Sequence, residues 1–387
     1  MASRALPSSV VLSHRRARLL ATPLRHLDLL LIGATLAISG LGLIMIYSAT
    51  KARTHAEGVS SLYFVNRQVI WIVLGVLAMA AVMAIDYRKL RDLAPIGYVG
   101  MLFLLAAVLV PGIGTIAKGS QARFQLGAFQ LQPSEFTKFF LILMLAAYCY
   151  LHRNDFGFRR VLMAVAICGL PLALVMLQPD LGTALVLGAI SFAMLTIGGV
   201  KGRYLAVLAM IVVTGAIGAV NLGVLKQYQV DRLTSFLDQS GDTRGTTYNL
   251  DQSKIAIANG GLTGEGLGQG TQTNGRFVPE QHTDFIFTAV GEELGFVGGA
   301  TLLALFAVVV WRTWRTARLT NDFFGTLVCV GVIAMFTFQI FENVGMTMGI
   351  MPITGIPLPF MSYGGSSTIV CFACVGLVAN VHMRRFS

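Results

Sequence analysis

The sequence predicts an all-α polytopic membrane protein. It expects about ten transmembrane helices, both termini cytoplasmic, and a large extracytoplasmic loop between helices 7 and 8. Three observations carry this. The chain is 55% hydrophobic and only 12% charged over 387 residues, with mean hydropathy +0.71, too little charge for a water-soluble domain of that size. Apolar runs of about 18–25 residues, each long enough to cross a bilayer core, recur along nearly its whole length. Lys and Arg gather on alternate connections between those runs.

Residues 1–26 form a basic arm bearing Arg4, Arg15, Arg16, Arg18 and Arg25, expected to be disordered and cytoplasmic. The apolar run behind it is too long for the core of a cleavable signal peptide. Residues 27–385 then read as one transmembrane domain. Its spans are expected at 27–47, 65–85, 95–110, 133–151, 161–177, 181–197, 204–222, 285–310, 323–350 and 361–381. Only Gln178-Pro179-Asp180 separates the fifth from the sixth. With the N-terminus inside, the inner connections hold Arg88, Lys89 and Arg91, then Arg153, Arg159 and Arg160, Lys201 and Arg203, Arg312, Arg315 and Arg318, and Arg384 and Arg385. The outer connections are poorer in cations, which fixes the orientation. Arginine bands facing anionic headgroups account for the net charge of +11, so no nucleic-acid partner is required.

Cys149, Cys168, Cys329, Cys371 and Cys374 all fall within or at the edge of spans. Cys371 and Cys374 have a redox spacing, but their apolar helix favours plain packing. No Cys/His cluster suggests a metal.

The elaborate connections are the outer ones, 111–131, 223–283 and 351–360, and long ordered loops tend to carry function. The 223–283 loop is rich in glycine, but its spacing fits neither a dinucleotide fingerprint nor a P-loop. It reads either as a flexible outer loop or as a lid or amphipathic segment on the membrane surface. Three outer helix starts share a design: Gln132-Pro133-Ser134-Glu135, Gln178-Pro179-Asp180 and His282-Thr283-Asp284. Proline suits a first helical turn, and an acid there is stabilised by the exposed N–H groups. Each acid is therefore either a cap or part of a site. Lys138 favours the second reading for Glu135, because a cation inside a span needs a partner and Glu135 lies three residues earlier on the same face. Glu292 and Glu293 lie deeper and read as structural. An outward cavity lined by carboxylates at headgroup level suits a substrate with a lipid tail and a polar head. Arg123, Lys138 and Arg276 would offset a diphosphate, and Asp284 would take a proton from a hydroxyl. His282 would orient the loop.

These residues resemble the SEDS family (shape, elongation, division, sporulation) from about residue 28 to 385. Four long motifs carry the resemblance: residues 132–138, residues 178–183, residues 279–287 followed by Gly291-Glu292-Glu293-Leu294-Gly295, and residues 355–367. The segments 178–180, 270–273 and 281–283 look more like the elongation branch, that of RodA, than the division branch, that of FtsW. The resemblance implies a ten-span fold and peptidoglycan glycosyltransferase activity on lipid II, a disaccharide-pentapeptide carried on undecaprenyl diphosphate. It places the family's essential aspartate on Asp284, its membrane ion pair on Glu135 and Lys138, and its other acidic position on Asp180. Ser362, in the last motif, joins Arg123, Glu135, Lys138, Asp180 and Arg276 as an expected substrate-binding residue. The implied partners are a class B penicillin-binding protein and membrane lipids. A divalent cation would share the diphosphate's charge, though no ligand spacing demands one. One departure stands out. Many relatives carry Arg-Trp where this chain has Arg123-Phe124, which keeps an aromatic face but loses the indole N–H. The rival readings are a flippase, which needs polar groups through the full bilayer depth, and a non-catalytic membrane scaffold.

Overall fold

The computed structural model describes residues 26–112, 114–117, 120–127, 129–153, 155–221 and 246–385. Most of the N-terminal arm and the 222–245 part of the large loop lie outside the described residues. Ten long helices are present among them: α1 (Leu29–Ala56), α2 (Tyr63–Ala84), α3 (Tyr87–Val108), α4 (Pro133–Leu151), α5 (Phe158–Leu177), α6 (Leu181–Ile197), α7 (Gly202–Asn221), then, after two shorter helices, α10 (Ile286–Leu319), α11 (Phe323–Met348) and α12 (Gly365–Met383). Eight of these are long and apolar enough to cross a membrane, and α6 and the 202–212 part of α7 are shorter apolar helices. The chain is a multi-pass helical membrane protein.

Local chemistry sets several helix starts. Asp28 accepts from the Leu31 N–H (3.1 Å), Asp86 from Arg88 (2.9 Å), Asp180 from Thr183 (3.0 Å) and Asp322 from Phe324 (3.3 Å), each satisfying an orphan donor of a first turn. Pro133 opens α4. The third span begins earlier than expected. Pro95 lies inside α3, which Asp86 starts at Tyr87, because the cap and the polar first turns carry the helix out to the inner surface ahead of its apolar run.

The C-terminal helix is the hub. Apart from Ile369, every residue from 366 to 383 is buried, and α12 packs against α2, α4, α10 and α11. A helix apolar on all sides belongs inside a bundle. Around it, α1 packs on α10, α10 on α11, α11 on α6, and α3 on α4.

Two polar contacts bound the apolar slab between α1 and α10. At one end Arg312 grips Asp28 with both nitrogens near 2.8 Å. At the other, Ser48 donates to Glu293. At 1.5 Å per residue these levels are about 30 Å apart, the thickness of a hydrocarbon core. The last turns of α1 and the first of α10 rise above it.

The expectation was all-α, and residues 115–131 add a small antiparallel sheet. β1 (Thr115–Ala117), β2 (Ser120–Leu126) and β3 (Phe129–Leu131) are ordered β1-β2-β3, with Gln125 opposite Gln130. The second half of the large loop packs on the bundle. Residues 246–275 hold α8 (Thr246–Asn259) and α9 (Thr271–Gly275). Ser253 of α8 donates to the Thr347 carbonyl at 2.7 Å. The Glu292 carboxylate accepts from the N–H groups of Gln272 (2.6 Å) and Thr273 (3.0 Å), so it caps α9 from α10. Between them an extended strap pairs with α10: Glu265 and Gly266 donate to the carbonyls of Glu292 and Glu293, and Phe296 and Val297 donate to those of Gly261 and Leu262. The pairing requires a break in α10, and Gly295 supplies it at φ 63°, ψ −161°, a backbone region essentially reserved for glycine. A Cβ on Gly260 would sit 1.8 Å from the Gly291 carbonyl oxygen, so only glycine permits this approach.

Candidate active site

A cavity of about 700 Å³ opens at one end of the bundle. It lies where α1 ends and where α2, α4, α6, α10 and α12 begin, away from the arginine-rich connections. Asp284, Glu135, Lys138, Asp180 and Arg123 all line it, together with Thr354 to Pro357 and Gly364 to Ser367.

Glu135 and Lys138 form the expected pair, 2.8 Å apart, with side chains only 6% and 2% exposed. Both are in the first turns of α4, and their exposure on its buried face leaves each as the other's main compensation. Asp180 is both a cap and a cavity residue. One oxygen caps α6, and the other accepts from Thr183 Oγ1 (2.8 Å), Gln132 Nε2 (3.1 Å) and Ser134 Oγ (3.3 Å). It therefore ties the starts of α4 and α6 together. Arg123 reaches the cavity from β2, where its guanidinium donates to Gln130 at 3.1 Å on β3.

Asp284 is not the N-cap of α10. That position belongs to Phe285, which makes no side-chain cap, and Asp284 sits in the turn before it. Its N–H donates to the Glu280 carbonyl (3.2 Å), with Glu280 in the left-handed region at φ 53°. Its carbonyl accepts from Asn343 Nδ2 at 2.7 Å. The backbone is thus pinned on both sides, and the residue lines the cavity. His282 is buried and its ring lies against Phe64 (5.1 Å) and Tyr363 (5.6 Å), and its carbonyl accepts from Tyr363 N–H at 2.9 Å. It ties the loop to α2 and to the turn before α12.

Two expected residues are placed elsewhere. Arg276 ends α9 in the left-handed conformation and donates to the Ala52 carbonyl of α1. Ser362 accepts from the Leu358 N–H at 2.9 Å and shapes the turn before α12. Neither lines the cavity. Phe124 does not line it either, whereas Trp71 of α2 does, so an indole is present on another element.

The fold also brings in residues that no motif marked. Arg53 lies over the Phe64 ring (5.5 Å) and pairs with Glu57 at 2.9 Å, and Arg67 donates to the Tyr63 hydroxyl at 2.8 Å. Both arginines line the cavity. They flank the outer connection between α1 and α2, and that position was their only signal. Glu292 and Glu293 are structural in the way described above, and Asn343 is a further buried residue the motifs passed over. Among the described residues no three His, Cys, Asp or Glu side chains are grouped to hold a metal ion.

The cavity can hold an anionic, hydroxylated headgroup. Arg53, Arg67, Arg123 and Lys138 give its lining cations suited to phosphate charge, carboxylates line it beside them, and Trp71 and Tyr363 add aromatic rings.

A family model described as "Cell cycle protein", for FtsW, RodA and SpoVE, matches residues 28–386. The chain is 39% identical over 356 residues to the stage V sporulation protein E of Bacillus subtilis, covering 92% of this chain and 96% of that one. It is 38% identical over 363 residues to a probable peptidoglycan glycosyltransferase FtsW of Geobacter metallireducens, covering 92% and 95%. Among solved structures, it superposes with a TM-score of 0.77 and 30% identity on a chain from work on the structural coordination of polymerization and crosslinking by a peptidoglycan synthase complex, covering 93% and 99%. The crystal structure of the rod shape determining protein RodA of Thermus thermophilus matches at a TM-score of 0.69 and 29% identity, covering 93% and 98%. With a match over nearly its whole length, and relatives of the same span and fold, this chain belongs to the FtsW/RodA/SpoVE family of SEDS proteins.

Proposed function

We propose that the protein is a peptidoglycan glycosyltransferase that polymerises lipid II into glycan strands outside the bacterial plasma membrane. The observation that carries this is the convergence of Asp284, the Glu135–Lys138 pair, Asp180 and Arg123 on one cavity. By the positive-inside rule the cavity faces outward, because the arginine-rich connections lie at the other end of the bundle. The names of the FtsW relatives and the synthase complex support the same activity.

The chemistry is inverting glycosyl transfer. The 4-hydroxyl of an acceptor GlcNAc attacks the anomeric carbon of a donor MurNAc. The new glycosidic bond forms as the bond to undecaprenyl diphosphate breaks, and the diphosphate leaves with the bonding electrons. Asp284 accepts the hydroxyl proton, an effect worth about 10²–10⁴-fold. Arg123 stabilises the departing diphosphate. Lys138 adds less than an isolated cation would, because Glu135 already engages it at 2.8 Å. Arg53 and Arg67 add two more cations to the cavity lining. A flippase fits less well, because the charged lining is confined to the outer ends of the helices.

A class B penicillin-binding protein is the proposed partner, cross-linking the strands that this chain makes. The elongation branch is supported by segments 178–180, 270–273 and 281–283. A second reading, division or sporulation, is supported by the names of relatives 38–39% identical to this chain. Complementation separates the two, since an elongation enzyme restores rod shape to a depleted strain and a division enzyme restores septation.

The decisive experiment is Asp284→Asn in purified protein given lipid II, with and without the partner. Polymer should fall by at least about two orders of magnitude while the melting temperature holds. Wild-type-like polymer from the folded variant would sink the mechanism.

A further inference from the structure

The geometry points to Asn343 as the positioning residue that fixes the backbone of Asp284 against the 354–357 segment of the cavity lining. Asn343 is fully buried in α11, one turn below the outer end of that helix. Its amide nitrogen donates to two carbonyls at once, Asp284 at 2.7 Å and Ile356 at 2.7 Å. Those carbonyls belong to segments more than seventy residues apart in sequence, and both segments line the cavity. The orientation of the amide is fixed by its partners, since two carbonyl oxygens at that distance demand a donor between them.

The arrangement is a clamp. The loop before α10 and the loop before α12 are otherwise irregular backbone, and a buried backbone carbonyl there still needs a hydrogen-bond partner. One side chain on a rigid helix supplies a bond to each. Its neighbour acts alongside it: Glu342 accepts from Thr354 Oγ1 at 2.9 Å, so two successive residues of α11 hold the same wall. The inference rests on reading Asp284 as the general base. It adds that the base is held in register by a residue that never touches substrate. A misplacement of about 1 Å in such a group costs about 10²-fold in rate.

The test compares Asn343→Leu with Gln339→Leu in the full-length protein. Gln339 is equally buried, lies one turn deeper in α11, and does not line the cavity. Polymerisation kinetics on lipid II are measured beside amide hydrogen exchange of segments 280–285 and 354–358. Asn343→Leu should lower kcat by about 10²-fold with KM within a few-fold, and exchange in both segments should quicken at least about tenfold. Gln339→Leu should change neither. A purely structural role would give equal losses of melting temperature in the two variants and no kinetic split. The inference is overturned if Asn343→Leu exchanges like wild type. It is also overturned if kcat holds in Asn343→Leu while Asp284→Asn is inactive. If Asp284→Asn itself polymerises normally, the general-base reading has failed, and the positioning claim falls with it for a reason the two variants make distinct.

Discussion

At the residue scale the Glu135–Lys138 pair is the sharpest case. Lys138→Ala leaves the Glu135 carboxylate buried without its cation, which commonly costs about 3–5 kcal/mol. A lower melting temperature in detergent and lost polymerisation are the expected outcomes. Replacing both residues by apolar ones of similar size should recover most of the stability, since a buried pair is often no more stable than a packed hydrophobic one. If the double variant is also fully active, the pair has no chemical role. This pair was legible because helical spacing alone brings positions three apart together. Arg276 was not. It has the right charge, in the right loop, but the left-handed turn at the end of α9 sends its guanidinium to α1. Ser362 likewise lies in a motif whose purpose, seen in three dimensions, is a turn. Which way a loop side chain points is decided by tertiary contacts that sequence spacing does not encode, and for the same reason Arg53 and Arg67 went unmarked.

At the element scale the strap along α10 is the part that hydropathy could not show. Residues 260–270 contain no apolar run, so they read as loop, yet their backbone pairs with α10 at the Gly295 break. The glycines in that stretch were visible, but their reason is steric and needs the neighbouring chain. Gly295→Ala should be severely destabilising. Its Cβ would meet the Gly264 nitrogen at 2.3 Å and the Leu262 carbonyl oxygen at 2.8 Å, and alanine resists a positive φ. Limited proteolysis should then cut within 260–276, where the wild type resists. Cleavage at wild-type rates would mean that the strap does not depend on the break. The spans themselves were legible because length and apolarity are fixed by bilayer thickness. Their ends were less so: α10 runs on to Leu319 and α1 to Ala56, since arginine and polar side chains carry a helix past the hydrocarbon without unwinding it.

At the scale of the whole molecule, many side chains on the outside of the bundle are apolar. Leu77, Ile96, Phe103, Met210 and Phe296 are each at least 60% exposed, as a surface bathed in lipid requires. A membrane-anchored partner would bind on that surface, and a single-span penicillin-binding protein should co-purify with the chain and raise glycan synthesis. Equal synthesis with and without any partner would count against this. The central place of α12 has a further consequence, for biogenesis. It follows the other nine long helices described in the chain, yet it is the one the others surround. Gln68 of α2 donates to Thr368, Asn380 donates to the Val82 and Ile85 carbonyls, and Thr316 meets His382 at 3.1 Å. Until α12 arrives, those groups lack these partners. Assembly must therefore finish from the inside, with the earlier spans held loosely enough to admit the final one. A nascent chain halted before residue 365 presents a membrane quality-control protease with polar surface that the completed chain never shows.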